Sequence, residues 1–377
     1  MLDSLRGVAA CFIVLYHIVA SSSFWPAPFL EHAWLFVDFF FVLSGFVIGF
    51  SYGDRLEEGY PIGRYMLQRF FRIYPLLLVM LLVYLAFEIV FALAGSGAAS
   101  RQPFDGIYSV PSFISALFMA QIFFGPDNLP WNGPSWSVAA EFWTYLIFAL
   151  AMRIRRRLIV PLCLLTVLIV PVYLAYLTDR NMGVFHDGAL ARCLFGFATG
   201  VLCWKLPERI REHALPRWAD HLLEFTVVGL CVAFVTIAGV DRLSLAAPLV
   251  FVLAVGVFSR ERGVLSALLK RAAFVTVGNL SYSIYMIHWF LLWRFFNMLA
   301  LAERITGLDL VATRDGQTGL GGSPALQVAS MLVFLAGVLL AAFLSYRLIE
   351  KPGQKLGKML IARQGEREVP NALPAKV

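Results

Sequence analysis

Ten apolar runs, each close to the length that crosses a lipid bilayer, govern what this chain can fold into. A hydrocarbon core about 30 Å thick takes about 20 helical residues to span. Read between polar breaks, the runs cover residues 7–22, 33–51, 73–94, 136–152, 158–177, 189–204, 222–240, 243–258, 275–298 and 324–346. A soluble core would show shorter runs, apolar on one side only. Composition agrees: 60% of the 377 residues are hydrophobic and 15% charged, too little polar surface for a soluble domain of this length. The expected fold is therefore all-α, a polytopic integral membrane helix bundle of about ten spans within residues 1–352. A polar tail, 353–377, follows and is expected to be disordered. Residues 111–124 are apolar but short, and are expected to lie on the membrane or dip into it. The stretch Gly319 to Ser323 reads as a loop.

An even number of spans puts both termini on one side, and the basic residues say which. Loops and ends on the N-terminal side carry 24 of the 31 Lys and Arg residues. The opposite loops carry five: Arg101, Arg180, Arg242, Arg304 and Arg314. This positive-inside asymmetry predicts cytoplasmic termini. It also accounts for the net charge of +7 without a nucleic-acid partner, because the charge is spread over six stretches, not one stripe. The first run lacks a small-residue cleavage site and reads as a retained span, not a signal peptide. Cys11, Cys163, Cys193, Cys203 and Cys231 form no CxxC pair. They read as packing residues, not as a metal site or disulfide frame. No internal repeat and no nucleotide-binding glycine motif is present.

Ionisable residues inside a bilayer cost several kcal/mol unless paired or hydrated, so each is a candidate site residue. His17 lies eleven residues after Arg6. On a helix that is a rise of about 16 Å and a return to within about 20° of the same face, which puts the imidazole near mid-bilayer. Asp38, in the second span, and Glu141, in the fourth, sit at similar depths from the far side. Either can orient His17 and balance an imidazolium, or make a structural contact between helices. Glu88, in the third span, reads as structural polarity. In the ninth span Tyr285 and His288 share a helix face, while Ser281 and Ser283 read as hydroxyl contacts between helices. Arg69 and Arg72, also i and i+3, point one way from the start of the third span. Such planar cationic forks suit phosphate groups, or serve as ordinary positive-inside anchors.

Six segments, taken together and in order, resemble the acyltransferase family 3 membrane proteins, which O-acylate cell-surface glycans. Arg6 and His17 are similar to the family's Arg-x10-His signature, and Phe39 to Phe46 to its Phe-Phe-x-x-Ser-Gly-Phe motif. Arg69 and Arg72 resemble its Arg-x-x-Arg step. Trp136-Ser137 through Glu141 to Tyr145 resembles its Trp-Ser-x-x-x-Glu-x-x-x-Tyr motif, departing at Ala140 and Phe142 to Thr144. Leu280 to His288 and Ser345 to Pro352 resemble the late-span motif and the closing Glu-x-Pro.

The resemblance implies an acyltransferase of the bacterial cytoplasmic membrane, with acyl-CoA, acetyl-CoA above all, as donor substrate. It implies no tightly bound cofactor and no metal. Arg69 and Arg72, with Arg6, would hold the donor phosphates. His17 would act as general base on the hydroxyl of a sugar or glycolipid acceptor. Glu141 would orient or balance it, Asp38 would assist, and Ser137, Tyr285 and His288 would support the site. A proton-coupled transporter built on the same His, Asp and Glu residues is the alternative reading.

Overall fold

The computed structural model describes residues 1–19, 27–94, 101–124, 131–207, 215–314 and 317–368. All ten expected spans coincide with helices. They are α1 (Leu2–Val19), α2 (Phe36–Glu57), α3 (Ile62–Ala94), α4 (Ser135–Arg155) and α5 (Ile159–Leu177). Then come α6 (Ala189–Lys205), α7 (Arg217–Ala238), α8 (Ala247–Ser259), α9 (Ala272–Thr306) and α10 (Pro324–Ser345). Among the described residues, nine helical segments are long and apolar enough to cross a membrane. The remaining expected span, α6, has 17 residues, at the short limit for crossing. The expected end of the first span at residue 22, the basic residues Arg209, Arg211 and Lys376, and the tail beyond residue 368 lie outside the described residues.

Exposed apolar side chains fit a helix that meets lipid instead of water. α5 turns Leu164, Leu165, Leu168, Ile169 and Val172 outward, and α7 does the same with Leu222, Phe225 and Leu230. With no apolar-to-water gradient between helices, close backbone approach supplies much of the packing. A Cβ built on Gly7 of α1 would lie 2.6 Å from the Gly278 backbone nitrogen of α9. A Cβ on Gly45 of α2 would run into the Phe197 carbonyl of α6, and one on Gly200 of α6 into the Val42 carbonyl of α2. These two glycine-backed pairs, α1 with α9 and α2 with α6, fix the relative heights of the polar residues on those helices. Local signals set the ends: Ser323 caps α10, accepting a 3.4 Å bond from the Leu326 amide, and Gly307 ends α9 in the left-handed region.

The segment 111–124 does not cross. Its helix, Val110–Leu117, buries Ser112, Ser115 and Ala116 and leaves Val110 and Ile114 exposed. Two expectations are corrected. Part of the expected loop at Gly319 to Ser323 is strand: Gln317–Leu320 pairs antiparallel with Val311–Arg314, Gly319 opposite Ala312. The tail is not disordered over its first part. A π-helical turn, Tyr346–Glu350, joins α10 to a further helix, α11 (Lys351–Glu368). α11 packs on α3, with Gly353 backed onto Pro75 and Gly357 onto the Phe71 ring.

Candidate active site

Two cavities lie one beyond the other in the bundle. The first, about 110 Å³, is set toward the end where α1 and α3 begin and is lined by Arg6, Ser44, Arg69, Arg72, Glu141 and Tyr145 among others. Each arginine is tied down. Arg6 donates through Nε to Ser281 Oγ (2.9 Å) and through Nη2 to Asp3 (2.8 Å). Arg69 donates to the Tyr52 hydroxyl at 3.2 Å and lies over that ring, 4.9 Å from its centre. Arg72 pairs with Glu350 at 2.7 Å. Glu141 accepts a hydrogen bond from Ser44, and the Tyr145 hydroxyl stands 3.5 Å from the same serine oxygen.

The second cavity, about 840 Å³, lies at the opposite end, bounded by loop residues Gly133, Pro134, Asp179 and Arg180 and by Thr318 of the hairpin. Its inner wall carries His17, Tyr16, Trp34, Trp136, Trp289 and Arg192. The His17 ring stacks on His288, centres 5.1 Å apart, and meets Trp289 edge-on at 4.7 Å. His288 faces the carbonyls of Tyr285 (2.7 Å) and Ile284 (3.3 Å) through Nδ1. Carbonyls only accept, so Nδ1 carries the proton and Nε2 the lone pair. Among the described residues that buried Nε2 has no hydrogen-bond partner.

Val37 and Tyr285 line both cavities. Ser137 Oγ donates to the Pro134 carbonyl at 3.0 Å and accepts from the Tyr285 hydroxyl at 2.7 Å. That pair bridges α4 and α9 at the wall between the cavities.

A family model described as Acyltransferase domain matches residues 1–350. The chain belongs to acyltransferase family 3. It is 25% identical over 342 residues to Acyltransferase MdmB of Streptomyces mycarofaciens, covering 85% of this chain and 80% of that protein. It is 33% identical over 160 residues to Protein 2 in picA locus of Rhizobium radiobacter, covering 40% of this chain and 80% of that protein. No solved structure matches the chain. Family membership makes this a multi-pass membrane enzyme that transfers acyl groups, and sets the transporter reading aside.

For this acyltransferase the structure gathers Arg6, Arg69, Arg72 and Glu141 in one cavity, and His17, with His288 stacked behind it, at the other. It engages the two expected carboxylate partners of His17 elsewhere. Glu141 is on the arginine side, bonded to Ser44. Asp38 accepts both Nε (2.8 Å) and Nη2 (2.7 Å) of Arg192, and both side chains are buried. Arg192 also donates to the Val184 carbonyl (3.1 Å) and lies 5.2 Å from the ring centres of both Trp34 and Trp136. Glu88 accepts a bidentate fork from Arg101, a structural contact.

Reading the sequence missed the roles of Ser44, Arg192 and Glu350. Each had a signal. Ser44 and Glu350 belong to the motifs of the resemblance, and an arginine within a span, as Arg192 is, calls for a polar partner, which here is Asp38 of the adjacent helix. Among the described residues no group of three or more His, Cys, Asp and Glu side chains gathers in a form able to hold a metal ion.

Proposed function

We propose that this acyltransferase moves an acyl group, acetyl in its simplest form, from cytoplasmic acyl-CoA to a hydroxyl of an extracytoplasmic sugar. The sugar belongs to a surface polysaccharide or a glycolipid, and both termini face the cytoplasm of a bacterial cell. The observation that carries this reading is the shared wall: an arginine-lined cavity and a histidine-bearing, aromatic cavity have Tyr285 and Val37 in common. The basic residues clustered on the N-terminal side support the orientation. Arg6, Arg69 and Arg72 offer fixed forks of the kind that bind phosphates. The first cavity, about 110 Å³, puts all three arginines on the donor side of that wall. The cavity of about 840 Å³ falls in the range of about 300–1,000 Å³ that holds small-molecule ligands. Its tryptophans offer flat apolar faces to a sugar ring.

In this reading neutral His17 takes the proton of the acceptor hydroxyl as the oxygen attacks the thioester carbonyl. The new C–O bond forms, the C–S bond breaks, and the departing thiolate takes a proton from the imidazolium. A transient acyl-imidazole satisfies the same balance. The His288 ring packs against His17 and holds its orientation, and Tyr285 with Ser137 marks where the acyl carbonyl crosses between cavities. Glu141 balances the arginine cluster on the donor side, and Asp38 acts through Arg192.

The test is mass spectrometry of surface glycans and glycolipids from wild-type, deletion and His17→Ala cells. Deletion and His17→Ala are each expected to remove an acetyl-sized mass. A His17→Ala strain that keeps that mass at normal turnover overturns the base assignment. A deletion that leaves every acyl mark in place overturns the acceptor class.

A further inference from the structure

The closing Glu-x-Pro segment has no part in the reaction as written above, yet its glutamate is buried beside the first cavity. Glu350 ends the π-helical turn, with 1% of its surface exposed. Single π-turns insert an extra residue into a helix and often mark functional positions. Three helices converge on this carboxylate. Oε1 accepts from Arg72 Nη1 of α3 at 2.7 Å and from Gln354 of α11 at 3.0 Å, and Oε2 accepts from Ser283 of α9 at 2.9 Å. The next residues seal the same junction: Gly353 backs onto Pro75 and Gly357 onto Phe71, the two residues of α3 that flank the Arg72 turn.

We propose that Glu350 is a positioning residue that holds the Arg72 guanidinium in place to bind a phosphate of the acyl donor. This rests on the donor reading given above. An arginine fork has five N–H donors. Glu350 engages one nitrogen, Nη1, and leaves the rest of the fork for an anion. The pairing also answers a charge problem. Arg6, Arg69 and Arg72 line one narrow cavity, and like charges at that spacing repel when no anion is present. Glu350 balances Arg72 while the cavity waits for donor, and its own remaining oxygen is fixed by Ser283, two residues along α9 from the serine that holds Arg6. One helix, α9, thus sets the positions of Arg6 directly and Arg72 through Glu350.

The test is a double-mutant cycle on equilibrium binding of acetyl-CoA to the full chain purified in detergent. The proteins are wild type, Glu350→Gln, Arg72→Ala and the double variant. Glu350→Gln keeps the shape and one oxygen to accept from Arg72, turns the other into an amide that Ser283 Oγ can accept from, and removes the charge. It is expected to weaken binding on the order of ten-fold, as loss of a charge-assisted contact does. In the Arg72→Ala background the same change is expected to have no further effect, because a residue that acts through Arg72 has nothing left to position. An equal loss in both backgrounds overturns the proposal and makes Glu350 a general packing element. Unchanged binding in Glu350→Gln overturns it also. If Arg72→Ala itself binds acetyl-CoA as wild type does, the donor reading of the arginine step falls, a result distinct from the other two.

Discussion

The buried pair Asp38–Arg192 makes a prediction whose size follows from its geometry. Both carboxylate oxygens accept from the guanidinium, at 2.8 and 2.7 Å, and the two side chains are 0% and 2% exposed. Arg192→Met leaves a carboxylate with no counter-charge inside the bundle. Removing one partner of a buried pair costs about 3–5 kcal/mol, while replacing both by apolar groups is often close to neutral. Stacking of Arg192 between Trp34 and Trp136 adds about 0.5–2 kcal/mol that Met recovers only in part. Arg192→Met and Asp38→Leu are each expected to lose about 3–5 kcal/mol, and the double variant less than either single. The assay is reversible unfolding in mixed detergent and SDS micelles, followed by tryptophan fluorescence. A double variant as unstable as the worse single refutes the pairing argument. So does an Arg192→Met protein within about 1 kcal/mol of wild type, well under the cost of a broken buried pair. An Asp38→Asn protein of wild-type stability but without acyl transfer would instead return Asp38 to direct service of His17.

Four further outcomes are expected. Gly45→Val and Gly200→Val drive a side chain into a facing backbone carbonyl and are expected to lose more than about 1–3 kcal/mol in the same unfolding assay. Gly229→Ala, with nothing within 4 Å, is expected to be neutral or to gain up to about 1 kcal/mol from helix propensity. Tyr285→Phe removes the 2.7 Å bond to Ser137 for about 0.5–1.5 kcal/mol and loosens the wall between the cavities. Release of free thiol from acetyl-CoA in the absence of acceptor is expected to rise, and an unchanged rate would show that this bond does not close the passage. Glu88→Gln weakens the anchor of Arg101 and of the Phe104 amide, so hydrogen exchange is expected to quicken over residues 101–108 and to stay unchanged around both cavities.

Most of the fold was legible because the bilayer makes a strong and local demand. A helix that must satisfy its own backbone over about 20 residues writes that demand into consecutive apolar positions. All ten spans could therefore be read along the chain, including α6, where Arg192 interrupts the run. The helical α11 was not legible, because its sequence is polar and its order comes from Gly353 and Gly357 lying flat against α3. The strand at Gln317–Leu320 escaped for a similar reason: a four-residue pairing carries too little pattern to separate it from a loop.

The site divides along the same line. Sequence alone determined that Arg6, His17, Asp38, Arg69, Arg72 and Glu141 are ionisable groups at or within spans, that Arg6 and His17 share a helix face, and that the ordered motifs resemble one enzyme family. The first two of those statements depend on positions within a single span, and the third on six motifs in order along the chain. Partner choice depends on which helices touch and at what height, and that was decided by glycines that let α2 meet α6 and α1 meet α9 backbone to backbone. The register of α2 on α6 gives Asp38 to Arg192, not to His17. The register of α1 on α9 lays His17 against His288 and Arg6 against Ser281. A carboxylate in a low-dielectric bundle pairs with the nearest fixed cation, and only the tertiary packing determined which cation that was.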